Sequence, residues 1–104
     1  MEGKAQLRLR ILTPKGSVGG AYCDSVHLSV PDDENGAGGG SMGIRRGHMP
    51  AFVALNDDKV TAFLGGIPVF TAMVHGGVAE ISDDVVTILT DAAEICSQTQ
   101  QNIE

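Results

Sequence analysis

The sequence predicts an all-β protein, an antiparallel β-sandwich, and two observations carry that prediction. Apolar and polar residues alternate with period two in one short segment after another. The segments recur at roughly 8 to 12 residue spacing with turn residues between them. A chain of 104 residues has the size of one domain with one modest core, so the strands should close on each other as sheet on sheet.

From Gln6 to Thr13, "QLRLRILT" sets Leu7, Leu9 and Ile11 on one side and Arg8 and Arg10 on the other, the pattern of a half-buried strand. Pro14 to Gly16 makes a turn. "VHLSV" turns Val26, Leu28 and Val30 inward and His27 to the polar face, and Pro31 closes it. "AFVAL" at 51–55 ends at the turn signal Asn56-Asp57, and "KVTAFL" resumes until Gly65-Gly66. "VFTAMV" at 69–74 stops at His75 and Gly76-Gly77, "VAEI" at 78–81 alternates, Asp83-Asp84 turns, and "VVTIL" at 85–89 completes the series. The sandwich is assigned to residues 5–90. Residues 91–104 read as a short helical or disordered tail. Thr90 or Asp91 is the candidate N-cap, Glu94 the capping-box partner, and Ala92, Ala93, Ile95 and Thr99 show no alternation.

Composition excludes several functions. A net charge of −6 and a pI near 4.8 leave no basic stripe for nucleic acid or an anionic membrane surface. No run of about 18 apolar residues is present and the N-terminus alternates, so a soluble, cytosolic chain is expected. Cys23 and Cys96 have no second Cys or His at ligand spacing, and free thiols are expected. With three Phe, one Tyr and no Trp, base-stacking and carbohydrate platforms are disfavoured.

Gly38, Gly40 and Gly43 match the dinucleotide fingerprint G-x-G-x-x-G letter for letter. The fingerprint needs a helix opening directly after the glycines, because the helix N-terminus holds the pyrophosphate. Gly47 and Pro50 follow too soon, so a mobile loop over Asp32–Ser41 ending in a tight turn is expected, with no nucleotide. Asp32, Asp33 and Glu34 lack the calcium-loop ligand series. The three histidines have no metal-ligand spacing, and the serines lack a G-x-S-x-G elbow. No catalytic residue, metal or cofactor is assigned.

Two stretches together carry a resemblance. "SMGIRRGHMPAFVAL" resembles the "GELGILPGHAPLLTAL" signature of the epsilon subunit of bacterial F-type ATP synthases, and "HGGVAEISDDVVTILTDAAE" resembles its "SGGFVEVSDNKVTVLADEAE" segment. "LRLRILTPKGSVGGAYCDSVHLSVPDDENG" is similar to the family's opening of strand, T/S-P-x-G, strand, small-acidic and V-x-L-P, so the likeness runs from Leu7 to about Glu94. It implies a sandwich of about ten short strands at the foot of the central stalk, against the gamma subunit and the ring of c subunits. It further implies a non-catalytic role coupling ion translocation to ATP synthesis, at the inner face of the cell membrane, by a subunit that is monomeric alone and inserts no segment into lipid.

By that resemblance the partner-binding candidates are Ser41, Gly43, Arg45, Arg46, His48 and His75. Ser41 stands where the family usually has an acidic residue and Arg46 where it has the proline of P-G-H, and the 32–41 loop is longer and richer in glycine. Arg45 and Arg46 form a local positive cluster in an acidic chain, set toward the polar loops of the ring. Full-length members continue into a hairpin of two helices that can inhibit hydrolysis and in some members binds ATP. Only ten residues follow Glu94, so a coupling element without ATP sensing or self-inhibition is expected. The alternative reading is a free-standing β-sandwich that binds a ligand.

Overall fold

The computed structural model describes residues 7–31 and 40–99. Eight strands follow one another: β1 (Leu7–Thr13), β2 (Gly16–Cys23), β3 (Ser25–Val30), β4 (Gly40–Arg45), β5 (Ala51–Leu64), β6 (Ile67–Ser82), β7 (Val85–Leu89) and β8 (Ala93–Gln98). They run in the order β2-β1-β7-β6-β5-β3-β4, with β8 added on β6. All pairs are antiparallel except β1 with β7.

The long β5–β6 hairpin makes the two layers. Its first part, 51–55 with 77–81, pairs onward to β7, β1 and β2. Its second part, 57–64 with 67–75, pairs with β3 and β4 on one side and β8 on the other. Counted by layer, each half is a strand of its own, which accounts for the ten strands of the resemblance. The expected turns at Asn56-Asp57 and at His75 to Gly77 are therefore bends inside continuous strands. Gly76 and Gly77 supply the bend, at φ of +70° and +114°, where residues with a side chain are strained.

The core lies between the layers. Leu7, Leu9 and Ile11 of β1 alternate inward with Val86 and Ile88 of β7 and Ala79 and Ile81 of β6, and they meet Val26, Leu28, Ile44, Val60, Phe70, Ala72 and Val74 from the other layer. Burying each large aliphatic side chain contributes about 1.5–3 kcal/mol, which makes the alternation decisive for register. The layers touch closely at Gly19 of β2, where a Cβ would stand 3.3 Å from Ile95 and 3.5 Å from the Phe70 ring.

Three segments differ from the sequence reading. The tail is not helical where it is described: Ala93–Gln98 is strand β8, paired with Phe70–Val74 of β6. Ala93 and Ile95 face the core side and Glu94 faces outward, and the exposed edge of β6 needs hydrogen-bond partners, which outweighs a capping box in so short a segment. Thr90 does not cap a helix. Its hydroxyl accepts from the His75 N–H at 3.3 Å and donates to the Ala92 carbonyl at 3.2 Å. The second difference is β4, expected as loop, whose Met42 and Ile44 turn inward against β3. The third is β2, which periodicity passed over and the resemblance contained. The predicted mobility of Asp32–Ser41 falls mainly outside the described residues, and its last two positions belong to β4.

Candidate functional site

The chain leaves β4 through a tight turn that gathers its positive charge. Arg45 ends β4 opposite Ser25 of β3, and the His48 N–H donates back to the Arg45 carbonyl at 3.2 Å. Gly47 sits between them at φ +84°, and its N–H donates to Asp84 Oδ1 at 2.7 Å. The His48 ring lies with Nδ1 2.8 Å from the Met49 carbonyl. A carbonyl only accepts, so Nδ1 carries the proton and Nε2 is left as the ring's other hydrogen-bonding atom.

An open cleft of about 440 Å³ adjoins this turn, lined by Ser25, His27, Gly43, Arg45, Arg46, Gly47 and His48. His27 is held there by Phe63, with ring centroids 4.7 Å apart. Two arginines and two histidines therefore border one concavity on a chain whose net charge is −6. The arrangement suits a carboxylate or carbonyl on a partner surface.

Four of the six candidates thus converge: Gly43, Arg45, Arg46 and His48. Ser41 lies further along β4, opposite Ser29, on a neighbouring cleft that also includes His27, Asp58 and Lys59. His75 is elsewhere. It faces outward on the same layer but three strands across, about 14 Å, and seven residues along β6 from the level of Arg45, about 24 Å. There its Nε2–H donates to Glu94 of β8 at 3.0 Å. Asp57 pairs with it from β5.

Gly40 and Gly43 are residues of β4 and not of a phosphate-binding turn, and the turn at Arg46-Gly47 follows where the fingerprint requires a helix. Among the described residues no three His, Cys, Asp or Glu side chains converge as metal ligands. Burial, reinforced by the Asp24 charge, pushes the Cys23 thiol up to about 12, which removes the nucleophilic thiolate at neutral pH. Cys96 is exposed on β8.

Periodicity did not single out a second surface, the outward side of the other layer. Leu12 of β1, Leu89 of β7, Val78 of β6 and Ala54 of β5 are cross-strand neighbours in one row. Leu89 is 45% and Val78 37% exposed, and Phe52, in the next row, is 74% exposed. The signal in the sequence is confined to Phe52 and Ala54 of β5, Val78 of β6 and Leu89 of β7, which alternate with the core and are apolar, while Glu80 and Thr87, in the row of Phe52, are the polar residues a solvated face carries.

The family model for the ATP synthase delta/epsilon chain β-sandwich domain matches residues 6–95. The chain belongs to this family. An ATP synthase epsilon chain from Nitratidesulfovibrio vulgaris is 38% identical over 90 residues, covering 85% of this chain and 60% of that one, so the chain spans about three-fifths of that relative's length. Two solved structures share the fold of this delta/epsilon sandwich. A chain in the Euglena gracilis mitochondrial ATP synthase (OSCP/F1/c-ring) superposes with a TM-score of 0.66 at 22% identity, covering 88% of this chain and 54% of that one. A chain in the Tetrahymena thermophila mitochondrial ATP synthase (central stalk/c-ring) superposes with a TM-score of 0.61 at 12% identity, covering 88% and 67%.

Proposed function

We propose that this chain is a non-catalytic central-stalk subunit of an F-type ATP synthase, binding the gamma subunit and the c-ring and coupling ion translocation to ATP synthesis. It works on the cytoplasmic side, at the inner face of the cell membrane, as part of the synthase. Membership of the delta/epsilon sandwich family supports the assignment. The observation that carries the geometry is the row Leu12, Leu89, Val78 and Ala54, an apolar strip across one layer of a sandwich whose own core is already closed. A strip of that kind suits a protein partner, and gamma is the partner assigned to it.

The basic turn serves the second contact. Arg45, Arg46 and His48 face carboxylates or carbonyls of the ring's polar loops, with Ser41 and Gly43 on the strand leading in, while His75 belongs to a separate part of the surface. The two surfaces lie on different layers, and a densely packed core between them transmits load without yielding. Reversing both arginines to Glu tests this reading. Binding to a gamma–c-ring assembly should fall at least about tenfold, and the melting temperature should stay within a degree or two, since exposed substitutions cost less than about 0.5 kcal/mol. Unchanged binding would move the ring contact away from this turn.

A further inference from the structure

We propose that Asp84 is the positioning residue of the basic turn, a role that rests on reading that turn as a partner contact. Asp83 and Asp84 are the two residues of the β6–β7 turn, between the paired Ser82 and Val85. Both have positive φ, 53° and 63°, the backbone of a two-residue hairpin that most readily takes Asn or Asp followed by Gly. Asp at the second position gives up the residue that suits that backbone best. What it adds is a carboxylate 2.7 Å from the N–H of Gly47.

Asp84 joins three elements at one point. Its backbone carbonyl accepts from the N–H of Arg8 on β1 at 3.0 Å, which ties the hairpin to its neighbouring strand within the first layer. Its side chain then reaches the turn that follows β4, an element of the other layer. The Gly47 N–H belongs to the peptide that joins Arg46 to Gly47, so anchoring it sets the plane in which Arg46 ends and from which Gly47 leads on to His48. The hydrogen bond from the His48 N–H to the Arg45 carbonyl closes the same turn from within. A turn held from outside and closed from within presents Arg45, Arg46 and His48 in one arrangement, and a partner need not order them on binding.

The backbone conformation makes the test clean. Gly adopts φ of +63° without strain, so Asp84→Gly keeps the hairpin and removes the carboxylate alone. Asn tolerates the same backbone and retains an Oδ1 acceptor, so Asp84→Asn keeps the tether without the charge. Amide hydrogen exchange across the full chain and affinity for a gamma–c-ring assembly are measured on wild type, Asp84→Gly, Asp84→Asn and the Arg45→Glu/Arg46→Glu pair.

In Asp84→Gly the Gly47 amide should exchange at least about tenfold faster, because its charged acceptor is gone. Core amides of β1 and β7 should be unaltered, and affinity should fall several-fold. Asp84→Asn should recover most of both effects, which a merely stabilising role of the hairpin would not predict. Gly47 exchange within about twofold of wild type in Asp84→Gly overturns the tether. Faster exchange with unchanged affinity, where the arginine reversal does weaken binding, overturns the positioning role. Unchanged affinity in the arginine reversal removes the partner contact itself, and Gly47 exchange distinguishes that failure from failure of the tether.

Discussion

Gly77→Ala attacks the point where β6 passes from one layer to the other. The native residue has φ +114°, and an added Cβ would stand 2.1 Å from the Leu89 carbonyl oxygen and 3.0 Å from the Thr90 Cα. Both neighbours are backbone, so neither can rotate away. The left-handed conformation alone costs an L-residue about 1–2 kcal/mol. Forcing β6 off β7 to relieve the overlap adds about 1–3 kcal/mol and disturbs the Val78–Leu89 pair. The sum is about 2–5 kcal/mol, and with a urea m-value of about 2 kcal/mol/M the unfolding midpoint should drop by about 1–2.5 M. Gly43→Ala is the control. There the nearest atoms are those of the His27 ring at 3.6 and 3.7 Å, an ordinary contact, and the midpoint should move by less than about 0.3 M at that m-value, as for other surface substitutions. A Gly77→Ala midpoint as close to wild type as the control would refute the bend as the feature that turns one hairpin into two layers.

Two further outcomes follow from individual side chains. With its thiol raised from 9.0 to about 12, Cys23 should resist a thiol reagent at pH 8 while Cys96 reacts, and both should react after denaturation. The unfolded chain releases the Cys23 proton near pH 9 and the folded chain does not, so this contribution to stability is complete below pH 9 and is lost as pH climbs toward 12. His75 and Glu94 are 43% and 63% exposed at the side chain, so His75→Ala should cost less than about 1 kcal/mol in urea unfolding at low salt, and less still at high salt. A loss of several kcal/mol would mean that the pair holds β8 in place.

Strands with an apolar inner face were legible in the sequence, and those built on glycine were not. Leu7, Leu9 and Ile11 or Val86 and Ile88 declare their register by alternation alone. In β2 and β4 glycine stands on both faces, Gly19 and Gly40 on the side of Ala21 and Ile44 and Gly20 and Gly43 on the other, and glycine lacks both a side chain to reveal the period and any strand propensity. The capping-box pattern at Asp91 and Glu94 is a local signal, and it lost to the unpaired edge of β6, a requirement visible only once the sheet is assembled. The basic turn could be found from Arg45, Arg46 and His48 because they are neighbours in sequence. His75 was grouped with them through the resemblance, and the register separates it. The Asp84–Gly47 contact spans 37 residues, and no spacing rule reaches that far.

The central claim is that the apolar row docks the gamma subunit, and Leu89→Asp tests it most directly. Leu89 is 45% exposed at the middle of the row and faces away from the core, so a carboxylate there is solvated in the free chain and buried in the complex. Affinity for purified gamma, measured by titration calorimetry alongside the melting temperature of the free chain, should fall by at least about thirtyfold, as for a central interface residue worth about 2 kcal/mol. The melting temperature should change by no more than a few degrees. Wild-type affinity in Leu89→Asp would contradict the account.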